Sequence, residues 1–116
     1  MRVLIIDDDP DQLALRCLLL RRSGMEAIGA GEAQAAVQIA TADKPDCAVV
    51  DLHLPAAADG LRLIRDLKQL HSGMRIVVLT GASSNHLAQA PERELIDEVL
   101  VKGTASVHLI RTLKSF

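Results

Sequence analysis

The sequence predicts an α/β fold: a doubly wound, five-stranded parallel sheet with five helices. Three observations predict it. Short Val- and Ile-rich runs alternate with longer stretches of helical period. Apolar residues make up 49% of the 116, yet Phe116 is the one aromatic, so the core must be assembled from Leu, Ile, Val and Ala. The polar residues able to do chemistry fall just behind the apolar runs, where open α/β sheets bind ligands.

Val3–Ile6, Cys47–Val50 and Ile76–Leu79 read as strands buried on both faces, and Met25–Gly29 and Glu98–Val101 as weaker ones. The first helix should start at Asp9 as cap with Pro10 in its first turn, turn Leu13, Cys17 and Leu20 to one side, and stop at Gly24. Ala33–Ala40 forms a second, ended by Pro45 at the latest. Asp59–Leu70 forms a third, with Leu61, Ile64 and Leu67 inward and Arg62, Arg65, Asp66 and Lys68 outward. Residues 84–95 make a poor fourth, because Pro91 stands where a helix interior would be. Thr104–Lys114 is a fifth, with Val107, Ile110 and Leu113 on one stripe. Strand and helix repeated five times imply right-handed crossovers and helices on both faces. The length suits a single domain over 1–116, with no output domain in this chain.

Composition excludes several classes. A formal charge of −2, no basic stripe and no aromatic stacking platforms argue against direct nucleic-acid binding. No segment reaches the ~18 apolar residues of a membrane helix, and the N-terminus lacks a signal-peptide pattern, so a cytoplasmic protein is expected. Cys17 and Cys47 sit inside apolar runs and read as small buried hydrophobes.

After the strands come Asp7, Asp8 and Asp9, then Asp51, Thr80 and Lys102. Asp9 reads as a helix cap. Nothing structural asks for Asp7, Asp8 and Asp51 together, and three converging carboxylates repel one another unless a hard cation joins them; Mg²⁺ is the natural guest. With the Lys102 ammonium and the Thr80 hydroxyl, they form a set suited to handling a phosphoryl group, in which a carboxylate attacks in line.

VLIIDDDP at 3–10, VVDLHLP with DG over 49–60, VVLTGAS at 77–83 and LVKG at 100–103, in this order and spacing, resemble the receiver domains of two-component response regulators. The resemblance covers almost the whole chain and implies the flavodoxin-like receiver fold and bacterial phosphorelay signalling. By it, Asp51 is the phosphoacceptor, taking a phosphoryl group from the phosphohistidine of a sensor histidine kinase or a phosphotransfer protein. Asp8, Asp51 and the backbone carbonyl of His53 hold Mg²⁺ directly, Asp7 holds it through water, and Thr80 and Lys102 hold the phosphoryl oxygens. It implies a phosphoacceptor with at most self-phosphorylation and self-dephosphorylation chemistry and no other enzymatic activity. The signalling face is helix 4, strand 5 and helix 5, with a homodimer through that face as an option.

The pattern also departs from the family. The stretch LHLPAAA before Asp59-Gly60 is one residue longer than usual, and Gly103 follows Lys102 where proline is commonest. Val99 stands where a switching Tyr or Phe is usual, so phosphorylation is expected to act through Thr80 and 81–85. A local role for His53 is balanced against plain exposure, and His71, His86 and His108 read as solvated. Two other readings stand beside the main one. One is a receiver-like interaction module that works without phosphorylation. The other is a haloacid dehalogenase-type phosphatase with Asp7 as nucleophile and Asp9 as acid/base, which leaves Asp51 unexplained and lacks acids after Lys102.

Overall fold

A computed structural model describes the chain except for residues 53, 55, 82–84, 104 and 105 and the side chains of Asn85 and His86. Five strands, β1 (Arg2–Ile6), β2 (Glu26–Ala30), β3 (Cys47–Asp51), β4 (Arg75–Thr80) and β5 (Glu98–Val101), alternate with helices α1 (Pro10–Arg22), α2 (Ala33–Asp43), α3 (Ala57–Leu70), α4 (Asn85–Gln89) and α5 (Ser106–Lys114). All strand pairs are parallel, in the order β2-β1-β3-β4-β5. The order reverses at β1, so the crevice between β1 and β3 is the topological switch point at which such sheets bind ligands.

The two faces of the sheet follow from period-2 alternation. Leu4, Ile6, Ala48, Val50, Ile76 and Val78 pack under α2, α3 and the residues before β5, whereas Val3, Ile5, Cys47, Val49, Val77 and Leu79 pack under α1 and α5. The scarcity of aromatics is met by many small contacts, with Ala36 and Ala40 fully buried where α2 lies on the sheet.

Several element ends have local causes. The Asp9 side chain accepts from the amides of Asp11 and Gln12, and Pro10 occupies the first turn of α1, so Asp9 acts as the expected cap. Lys44 leaves α2 in the left-handed region, with φ 48°. The poor fourth helix is broken: α4 ends at Gln89, Ala90 is extended, and Pro91–Leu95 forms a short 3₁₀ turn, because Pro91 cannot continue an α-helix but suits the first position of a new one.

Two inward stripes differ from the sequence expectation. In α3, Leu63 is buried with Ile64 and Leu67, while Leu61 is half-buried against the core rim. In α5, Leu109 and Leu113 are buried and Val107 is 53% exposed. A helix lying flat on a sheet buries an i, i+4 ridge; the spacing chosen from the sequence followed i, i+3 and drifted off that ridge.

Candidate functional site

The register aligns the carboxyl ends of β1, β3 and β4, since Ile6 pairs with Val50 and Val50 with Val78. Backbone bonds extend the ladder past the strands: the Asp7 amide donates to the Ala30 carbonyl at 3.1 Å, and the Leu52 amide to Leu79 at 3.0 Å. Asp7, Asp51 and Thr80 are therefore pinned by main chain, and each is at most 1% exposed. Asp8 is exposed. One carboxylate oxygen from each of Asp7, Asp8 and Asp51 can be chosen so that all lie within 4.8 Å of one another.

Lys102 reaches into this cluster from the loop after β5. Its Nζ donates to Asp51 Oδ2 at 2.7 Å, and its amide donates to the Thr80 carbonyl at 2.6 Å. Thr80 Oγ1 is buried with no hydrogen-bond partner among the described residues. A buried hydroxyl left without a partner costs about 1–3 kcal/mol, so this one is a donor in want of an acceptor. Gly103 continues the chain at φ +90°, with open space where a Cβ would stand. Proline cannot adopt that angle, so the departure from the common Lys-Pro pattern goes with a different backbone path.

The Asp59-Gly60 pair sets the start of α3 and its approach to Leu52. Asp59 Oδ2 accepts the Ala56 amide at 3.2 Å and starts α3. A Cβ on Gly60 would lie 2.1 Å from the Leu52 carbonyl oxygen, so only glycine lets α3 pass this close to the segment leaving β3.

Most of the site residues expected from the sequence meet here: Asp7, Asp8, Asp51, Thr80 and Lys102. His53 lies outside the described residues, so its carbonyl is not placed, and the same holds for 82–84. Asp9 caps α1. His71 is not merely solvated: its Nε2 lies 3.1 Å from the Ala40 carbonyl, tying the end of α3 to α2. His108 is exposed.

One site residue escaped the sequence reading. Arg16 Nη1 donates to Asp7 Oδ2, while Asp7 Oδ1 accepts the Asp9 amide at 2.9 Å. The signal was present: Leu13, Cys17 and Leu20 mark the inward side of α1, and Arg16 falls on that side at i+3 from Leu13. A charge on an otherwise apolar inward stripe needs a partner, and Asp7, Asp8 and Asp9 stand at the strand end from which α1 begins.

The donor set fits Mg²⁺. It consists of oxygen ligands, is close enough for direct and water-mediated ligation, and opens to solvent at Asp8 for the waters that this ion retains. A cavity of about 320 Å³ adjoins the cluster, with Asp8, Glu32, Asp59, Arg62 and Asp66 among its lining residues.

The family model for the response regulator receiver domain matches residues 3–114. The chain belongs to this family. Among curated relatives, the receiver domain is 32% identical over 114 residues to the transcriptional regulatory protein PrrA of Mycobacterium tuberculosis, covering 98% of this chain and 48% of the relative. It therefore spans about half the length of this relative. An uncharacterized 14.6 kDa protein of Leptolyngbya boryana is 28% identical over 118 residues and is covered over 89% of its length. Among solved structures, a CheY-like receiver domain protein of Methanospirillum hungatei superposes with a TM-score of 0.90 at 24% identity, over 98% of this chain and 90% of that one. TrrA of Thermotoga maritima, in complex with Mg²⁺-BeF, superposes at 0.85 with 23% identity, over 98% of this chain and 96% of that one. These likenesses establish the receiver fold. Among the described residues, no helix is long and apolar enough to cross a membrane.

Proposed function

We propose that this receiver domain accepts a phosphoryl group on Asp51 from the phosphohistidine of a sensor histidine kinase or phosphotransfer protein. The single observation that carries the reading is the buried Thr80 hydroxyl, without a partner among the described residues, at the end of the strand that pairs with the one ending in Asp51, whose carboxylate Lys102 holds. An Asp51 oxygen attacks phosphorus in line, its O–P bond forming as the donor's P–N bond breaks. The new phosphoryl oxygens give Thr80 Oγ1 an acceptor and Lys102 Nζ a second anion to hold. Asp8, Asp51 and the His53 carbonyl, with Asp7 through water, would hold Mg²⁺, which would supply charge screening between the carboxylates and the incoming phosphate. The resulting shift at Thr80 and 81–85 is transmitted toward the face made by α4, β5 and α5, where Val99 is half-buried and carries no ring to swing.

Incubation with acetyl phosphate and Mg²⁺, followed by borohydride trapping and peptide mass analysis, tests the reading. Label should appear on the peptide holding Asp51 and vanish in Asp51→Asn. Label on the 1–16 peptide that survives Asp51→Asn would instead indicate phosphatase-type chemistry at Asp7, and no label on either peptide would indicate a phosphorylation-independent module.

A further inference from the structure

We infer that Arg16 is a built-in cation that holds Asp7 in a closed ion pair and weakens Mg²⁺ binding at the Asp7, Asp8 and Asp51 carboxylates. The inference rests on the reading of that cluster as the Mg²⁺ site. The Arg16 side chain is only 15% exposed and its guanidinium donates to Asp7 Oδ2. The other Asp7 oxygen accepts the Asp9 amide. Both oxygens of a carboxylate that is 1% exposed are thus engaged by protein donors before any metal arrives. Leaving Asp7 would strand a poorly hydrated guanidinium beside the apolar stripe of Cys17 and Leu20, so the pair resists opening.

Charge counting gives the direction. Three carboxylates with Lys102 alone carry −2, which a divalent ion would neutralise. With Arg16 present the cluster carries −1, and the same ion leaves it at +1. Arg16 and Lys102 also line one small cavity with Leu79, Gly103 and Ser106, so both cations approach the cluster from the side of α1 and α5. Like charges in a partly dry site repel more strongly than in water. Arg16 therefore stabilises the metal-free receiver and raises the Mg²⁺ concentration at which the site fills.

The test is Mg²⁺ titration of the whole chain by calorimetry and by amide shifts at Asp8 and Asp51, for wild type, Arg16→Gln, Arg16→Met and Arg16→Lys. The Gln and Met variants should bind about tenfold tighter, and Lys should stay within about threefold of wild type because it keeps the charge. In the wild type itself, the Arg16 guanidinium should give resolved, slowly rotating NMR signals without metal, which shift at the midpoint of the Mg²⁺ titration; this holds even if a substituted chain fails to fold. Equal or weaker affinity in both neutral variants, or a freely rotating guanidinium, overturns the inference and leaves the metal site standing. No Mg²⁺ binding by any of the four proteins overturns the inference and the metal site together.

Discussion

Lys102 Nζ sits 2.7 Å from Asp51 Oδ2 across 51 positions of sequence, bridging the ends of β3 and β5. The Asp51 side chain is 1% exposed and that of Lys102 is 38% exposed, so the pair joins a buried anion to a cation that remains partly in water. Such a pair is a poor source of stability, because desolvating the carboxylate offsets much of the attraction. It does fix where a cation stands relative to the carboxylate, as the proposed role of Asp51 as phosphoacceptor would require.

The first prediction follows from the crowding around Asp51. Replacing it by Asn keeps the shape, removes one of three mutually repelling carboxylates, and leaves Lys102 able to hydrate. Asp51→Asn should therefore stabilise the metal-free protein by about 1 kcal/mol, raising Tm by roughly 4 °C. Lys102→Met should lower Tm, since it takes a cation from a cluster with too few. Thermal melts in metal-free buffer at neutral pH check both, and a lower Tm for Asp51→Asn would contradict the account of the cluster as electrostatically strained.

Gly60→Ala sets helix propensity against packing. In an open helix the change would gain up to about 1 kcal/mol. Here the added Cβ would lie 2.1 Å from the Leu52 carbonyl oxygen, which is backbone and cannot swing aside. Either α3 or the segment after β3 must move, and a net loss of about 1–3 kcal/mol is expected. Because Leu52 adjoins Asp51, amide shifts at 51 and 52 should accompany the loss. Urea denaturation and an amide spectrum of the variant measure the two effects.

How much of this was legible in the sequence depended on the length scale of the cause. β1, β3 and β4 were readable because a strand buried on both faces is a continuous apolar run. The cluster of Asp7, Asp8, Asp51, Thr80 and Lys102 was readable because a parallel sheet gathers strand ends at one edge. The faces of α3 and α5 were less readable: Leu61 and Leu63 are equally apolar, and the tilt of the helix on the sheet decides which is buried. Arg16 required both ideas at once, an inward helix position and a carboxylate above it. The reason for Gly60 was not legible, because a close approach of two backbones leaves no periodicity.

Burial of the thiols gives a pH dependence. Desolvation pushes the Cys47 thiol up to about 12, with Asp97 and Asp46 acting in the same direction and Arg75 against them. Burial also raises Cys17, opposed by Arg21. A thiol in the unfolded chain titrates near ~8.5. Below that pH both states hold the proton and stability is unaffected; above it the unfolded state loses a proton that the folded state keeps, so stability falls as pH rises, with a limiting slope of about 1.4 kcal/mol per pH unit for each thiol. Urea midpoints from pH 7 to 10 should be flat and then decline, and Cys47→Ala should remove about one proton's worth of the slope. An unchanged slope in Cys47→Ala would mean that this thiol is not protected by the fold.

Under the proposed function, Thr80 would combine stability and function in one side chain. Its hydroxyl is fully buried and lacks a partner among the described residues, so these residues leave a desolvated donor unbonded. Thr80→Val keeps the branched shape and exchanges that hydroxyl for a methyl group. At most sites the exchange is costly because a hydrogen bond is lost; here none among the described residues is lost, and the variant should equal or exceed the wild type in stability by up to about 1 kcal/mol. The same substitution should impair the phosphorylated form, because the phosphoryl oxygens would meet a methyl group where a donor stood. Labelling of Thr80→Val by acetyl phosphate should therefore be weaker or shorter-lived than in wild type, whereas Thr80→Ser should retain most of it. Melting temperature and label lifetime should thus move in opposite directions in Thr80→Val. A valine variant that loses stability while keeping its label would show that the hydroxyl serves the fold rather than the phosphoryl group.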